Sequence, residues 1–265
     1  MSAVQDVGTF VTPRDLALFR ALVVARVLDG EQAMSVGGFH SVRRANRRLL
    51  KLVRAGLLRR WFVGSPAGGL KALYGLAPQA FVLLGESSQG LISWKQDGVI
   101  TSSQFLAHQQ AVNEVFIRAR FQTLPYGLSC ERWSTFREPL APSIGLIPDA
   151  YCEIKQADVA HPMFLEVDLG TEASKVWRQK VERYLRLAVS GEFERIFGQR
   201  RFRTLVLFPS VRRLESVRKT ILHRTDKLFW LSTFDQLRRD GLWAPIWFRP
   251  TSGAEQRLLD VADKE

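Results

Sequence analysis

Three acidic residues stand where they could do chemistry: Asp149 in the pair Pro148-Asp149, and Glu166 and Asp168 in Glu166-Val167-Asp168. The period of two along a strand points Glu166 and Asp168 to the same face. Two or three carboxylates at adjoining strand ends suit a hard divalent cation, which takes oxygen ligands and keeps several waters. The metal expected at such a site, if it is active, is Mg2+ or Mn2+; otherwise no cofactor is expected. A second group has the opposite character. Between Ser41 and Arg60 the chain carries Arg43, Arg44, Arg47, Arg48, Lys51, Arg54, Arg59 and Arg60 and no acid, and Lys71 follows. Helices normally intersperse both signs, so a run of cations without acids suits phosphate. Arg44, Arg47 and Arg48 are the leading candidates for contact with double-stranded DNA; the alternative is a solvated helix face with no partner.

The elements that would position these cations can be read locally. Thr12-Pro13-Arg14-Asp15 supplies an N-cap, a proline at the first helical position and an acid near the positive end of the dipole. A first helix is expected from there to about Leu28, ended by Asp29-Gly30. A short second helix over Glu31 to Ser35 and a third over Ser41 to Ala55 follow, the third having apolar Val42, Ala45, Leu49, Leu52 and Val53 opposite its basic face. Residues 57–63 and 70–76 read as two strands around a tip rich in glycine, Gly64-Ser65-Pro66-Ala67-Gly68-Gly69. Three helices followed by such a hairpin resemble the winged helix-turn-helix family, and that resemblance implies that the third helix enters the major groove while the hairpin tracks the backbone.

Composition agrees with a folded, anion-binding chain. Of 265 residues, 46% are hydrophobic and the formal charge is +12. Residues 1–85 hold twelve basic and four acidic residues, a surplus of eight, against a surplus of four in the remaining 180. No run approaches the ~18 apolar residues needed to cross a bilayer. The start of the chain lacks the pattern of a signal peptide, so a cytoplasmic protein without membrane contact is expected. Cys130 and Cys152 lack metal-ligand spacing, and His108, His161 and His223 are scattered. Trp177, Trp230, Trp243 and Trp247 read as core or interface aromatics.

The organisation expected is a DNA-binding domain over 1–85, a linker over 86–102, a second α/β domain over 103–250 and a polar tail over 251–265. The second domain should open with an amphipathic helix, Ser103 to Thr123. Strands at 128–135, 146–154 and 162–168 come next, then a helix at 172–189, a strand at 203–209, a helix at 211–225, a strand at 228–232 and a helix at 235–240.

In that order the second half resembles the PD-(D/E)XK nuclease-like fold, and the whole chain resembles the replication-relaxation family of plasmid and mobile-element proteins. The resemblance rests on residues 108–114, Leu146-Ile147-Pro148-Asp149-Ala150, the stretch from Phe164 to Glu172, and Lys180-Val181-Glu182-Arg183-Tyr184. It implies Asp149 and Glu166 as metal ligands and Glu114 as an acid that some members place on the first helix. One position departs from the pattern: the lysine expected two residues after the glutamate is Asp168. Lys180 could supply that ammonium from the following helix, with Lys175 a weaker candidate.

The catalytic set implied is therefore Asp149, Glu166, Asp168, Lys180 and Glu114. The structural alternative has Asp149 opening a turn, Glu166 and Asp168 paired with Arg178 or Arg183, and Lys180 solvated. Two functions follow from the resemblance. One is a DNA-binding protein of a plasmid or mobile element that controls replication or transfer, its nuclease-like domain inactive and serving as a platform for partners or for a second copy of the chain. The other is a Mg2+-dependent DNA endonuclease.

Overall fold

A computed structural model of the chain describes residues 10–64, 68–87, 92, 94–100 and 103–260. The expected hairpin tip at 65–67, much of the expected linker and the last five residues lie outside them. The fold is mixed α/β and divides into two compact units, Met1–Ile117 and Arg118–Glu265.

The first unit begins with α1 (Pro13–Ala25). Thr12 caps it and Asp15 reaches back to the cap, a reciprocal pair that satisfies two otherwise orphaned amides. The helix stops three residues earlier than expected. Arg26 adopts a positive φ of 62°, after which β1 (Leu28–Asp29) pairs with β3 (Leu70–Leu76). Asp29 starts a helix rather than ending one: it caps α2 (Gly30–Gly37) by accepting from the amides of Glu31 and Gln32 at 2.9 Å. Gly38, at φ 59°, closes α2, and Ser41 caps α3 (Val42–Arg54). The hairpin β2 (Leu58–Gly64) and β3 runs in antiparallel register from Leu58 opposite Leu76 to Gly64 opposite Leu70.

After α4 (Pro78–Leu84), the short β4 (Val99–Ile100) adds in parallel to β2, giving a four-stranded mixed sheet in the order β1-β3-β2-β4. The helix expected to open the second domain, α5 (Gln104–Arg120), falls mostly within the first unit. The physical reason is visible at Asn113, whose buried side chain donates to the carbonyls of Ala25 at 3.0 Å and Val27 at 2.6 Å, groups left without helical partners where α1 ends. Leu106 of α5 joins Val27, Trp61, Leu73 and Ile92 in one apolar cluster.

The second unit is built on a seven-stranded mixed sheet. Strands β5 (Leu128–Ser134), β6 (Ala150–Gln156) and β7 (Val159–Val167) form an antiparallel meander. The chain then crosses through α6 (Ser174–Val189) and the unforeseen α7 (Glu192–Phe197) to β8 (Arg203–Phe208), parallel to β7. Next, α8 (Val211–Leu222) leads to β9 (Phe229–Thr233), parallel to β8, and α9 (Phe234–Asp240) follows. The short β10 (Trp247–Phe248) and β11 (Glu255–Gln256) complete the edge.

Asp149 lies just before β6 instead of on it, and the stretch expected as a polar tail carries β11 and buries Leu258 and Leu259. One face of the sheet packs on α6 and α8 through Tyr151, Phe164, Val206, Phe208, Phe229 and Leu231 against Trp177, Val181, Tyr184, Leu187, Leu214, Val217 and Ile221. Burying that face removes a large apolar area from water, at roughly 25 cal/mol per Å2. No helix among the described residues is long and apolar enough to cross a membrane.

Candidate functional site

Helical rotation separates α3 into two faces. Ala45, Leu49 and Leu52 are fully buried, while at about 100° per residue Arg43, Arg54, Arg47, Lys51 and Arg44 fall within roughly 100° of arc on the opposite side. All five are exposed, and none pairs with a carboxylate among the described residues. The remaining cations of the run are engaged within the molecule. Arg48, at the margin of the face, donates through Nε to Asp15 at 2.9 Å and through its terminal nitrogen to the carbonyl of Phe10 at 2.8 Å.

Asp15 is 1% exposed. Burial alone would raise its carboxyl, but hydrogen bonds from Arg48 and Thr12 outweigh that and hold it below its ordinary value. Arg59 donates to the carbonyls of Ile92 and Trp94, Arg60 pairs with Asp97 at 2.6 Å and Lys71 with Asp29 at 2.7 Å. The nine expected contact residues thus divide into five that face solvent and four that brace the unit.

The acidic group is arranged differently. Phe164, Glu166 and Asp168 alternate onto the face of β7 covered by α6, and both acids are fully buried. Trp177, Lys180 and Tyr184, spaced by three and four residues, form the matching stripe of α6. Lys180 Nζ donates to Glu166 Oε2 at 2.7 Å and to Glu172 Oε1 at 2.8 Å, and the Tyr184 hydroxyl donates to Glu166 Oε1 at 2.6 Å.

Asp168 is met by the Trp177 indole, by its own Gly170 amide and by Arg213, whose terminal nitrogen lies 2.6 Å from Oδ2. Asp149 accepts from the Val167 amide at 2.7 Å, which fastens the turn before β6 to the end of β7. The partners differ from the expected Arg178 and Arg183, both of which are exposed. Lys175 is exposed as well, and Glu114 lies on α5 in the first unit, half-buried.

The electrostatics follow from burial. Desolvation pushes the Glu166 carboxyl up to about 7 against the pull of Lys180, with nearby Asp149 adding to the rise. For Lys180 burial acts downward, but Glu166, Asp149 and Glu172 more than compensate and keep the ammonium above its ordinary value. Burial and then Glu166 raise the Tyr184 phenol well above its own.

Both oxygens of Glu166 are thus taken, and the described residues contain no group of three or more His, Cys, Asp or Glu side chains that could hold a metal ion. As arranged, these residues do not fit a divalent cation; the cluster closes around an ammonium. The resemblance singled out Lys180, in the stretch that ends at Tyr184, and the structure brings both side chains to Glu166. Sequence reasoning missed Arg213 and the side chain of Glu172, which no local pattern marks.

The profile of the replication-relaxation family matches residues 19–200, more than half of the chain. No curated protein and no solved structure matches it.

Proposed function

The chain belongs to the replication-relaxation family, and on that premise we propose that it binds double-stranded DNA of a plasmid or mobile element in the control of replication or transfer. The observation that carries this reading is the exposed face of α3, with five cations and no acid. A cation held by a carboxylate must give up that partner to meet phosphate, whereas Arg43, Arg44, Arg47, Lys51 and Arg54 need only release solvent and counterions. Helices α1 to α3 followed at once by the β2–β3 hairpin support a winged helix-turn-helix, with α3 as the recognition helix. The meander β5–β7 and the crossover through α6 to parallel β8 support a PD-(D/E)XK-like second domain that serves as a folded platform.

The test is fluorescence anisotropy of a labelled duplex with the wild type and with Arg43→Ala/Arg44→Ala/Arg47→Ala. Binding should be lost while the circular dichroism spectrum stays that of the wild type. Undiminished binding would overturn the assignment.

A second reading, the Mg2+-dependent endonuclease, is favoured by one observation: Lys180 brings an ammonium to Glu166 beside Asp149, where the strand lysine is missing. It requires Lys180 and Tyr184 to release Glu166. Incubating supercoiled DNA with Mg2+ or Mn2+, beside Asp149→Ala and Glu166→Gln, decides it: nicking that disappears in both variants supports the endonuclease, and intact DNA throughout removes it.

A further inference from the structure

Where β7, β8 and β9 begin, the second unit has a cleft of about 550 Å3 whose lining includes His161, Arg201, Arg203, Lys227, Trp230 and Arg249 and contains no Asp or Glu. It is not the carboxylate cluster. His161 precedes Glu166 by five positions, which places the cleft roughly 17 Å away along the strand. Arg200 also borders the cleft but pairs with Glu194 at 3.0 Å.

The cations inside are held without carboxylates. The guanidinium of Arg203 lies 5.2 Å, and that of Arg249 4.9 Å, from the ring of Trp230, itself 7% exposed. Two like charges are thereby kept on one aromatic ring. Arg203 donates to the carbonyl of Leu258, and Arg249 to those of Asp226 at 2.9 Å and Lys227 at 2.8 Å. Burial and the charge of Arg249 draw Arg203 below its ordinary value despite nearby Asp260, and burial with Arg203 does the same to His161. The Trp230 indole nitrogen and Arg249 Nε are buried with no hydrogen-bond partner.

Arg203 and Arg249 are partly withdrawn from water with only Asp260 of the described carboxylates nearby, and an anion seated among the cations would offset that desolvation. Arg201, Arg203, Lys227 and Arg249 carry more charge than one carboxylate can answer, and guanidinium forks match phosphate oxygens in geometry. We propose that this cleft is a phosphate-binding site, taking the phosphates of a nucleic-acid strand or of a free nucleotide. It does not depend on the reading of α3, which lies in the other unit.

The test uses the full chain carrying Arg43→Ala/Arg44→Ala/Arg47→Ala, so that the α3 face does not report. It is titrated calorimetrically at low salt with ATP and with a single-stranded oligonucleotide, with and without Arg201→Gln/Lys227→Gln. Both added substitutions are at exposed side chains, and circular dichroism checks the fold. Binding should be weakened about tenfold or more by the added pair. Binding of the oligonucleotide alone assigns the site to a strand; binding of ATP assigns it to a free nucleotide. No binding of either ligand, or equal binding with and without the added pair, overturns the proposal. Loss of duplex binding on the α3 substitutions bears only on the other reading.

Discussion

The basic face of α3 and the carboxylate cluster between β7 and α6 use similar residue types to opposite ends. On α3 five cations of one sign stand in solvent with no partner among the described carboxylates. Between β7 and α6, Glu166 and Asp168 are fully buried and each is met by a cation and a neutral donor. A buried charge stripped of its partner is expensive, so such a network is closed in on itself. An exposed charge costs the fold little and is available to another molecule. Arg48 shows the division within one helix: it belongs to the basic run by sequence, yet Asp15 claims it.

Substitutions can break that contrast. Asp168→Ala should give the largest effect, lowering stability by about 3–5 kcal/mol, because Arg213 and the Trp177 indole lose a shared acceptor; a denaturant midpoint that barely moves would show that the cluster is not structural. Arg48→Ala should cost about 1–3 kcal/mol by stranding the buried Asp15, measured the same way.

Acid sharpens the same pair. The carboxyl of Asp15 is held below its ordinary value of 3.8 in the folded chain, so its contribution is present above the unfolded value and is lost as pH falls through the folded one. Wild type and Arg48→Ala should therefore converge in stability at the acid end of a pH series, and a constant gap would contradict the pairing. The smallest effect belongs to the open face: Arg43→Ala, Arg44→Ala and Arg47→Ala should each change thermal stability by no more than about 0.5 kcal/mol.

The parts legible in the sequence were those with local causes. Thr12-Pro13 and Ser41 mark helix starts through side-chain caps, the apolar spacing of α3 fixes its buried side, and paired alternating runs give the β2–β3 hairpin. Two-residue strands such as β1 and β4 have no period to read, which is why the local pattern carries α1 on to about Leu28 and reads Asp29-Gly30 as its end. Pairings across the fold were equally hidden. Arg213 reaches Asp168 from 45 positions away, and Asn113 caps the end of α1 from 88 and 86 positions away, so the helix expected to open the second domain belongs mostly to the first unit. On α6 the resemblance marked Lys180, while the stripe of Trp177, Lys180 and Tyr184 that meets the acids is seen only with β7 packed against it.

The most direct test of the central claim is the salt dependence of duplex binding. Each phosphate contact contributes about 0.9 to the slope of log affinity against log salt. For wild type against Arg44→Ala/Arg47→Ala, the slope should fall by about two such contacts and the affinity should drop. An unchanged slope and affinity would mean that the face of α3 does not touch DNA.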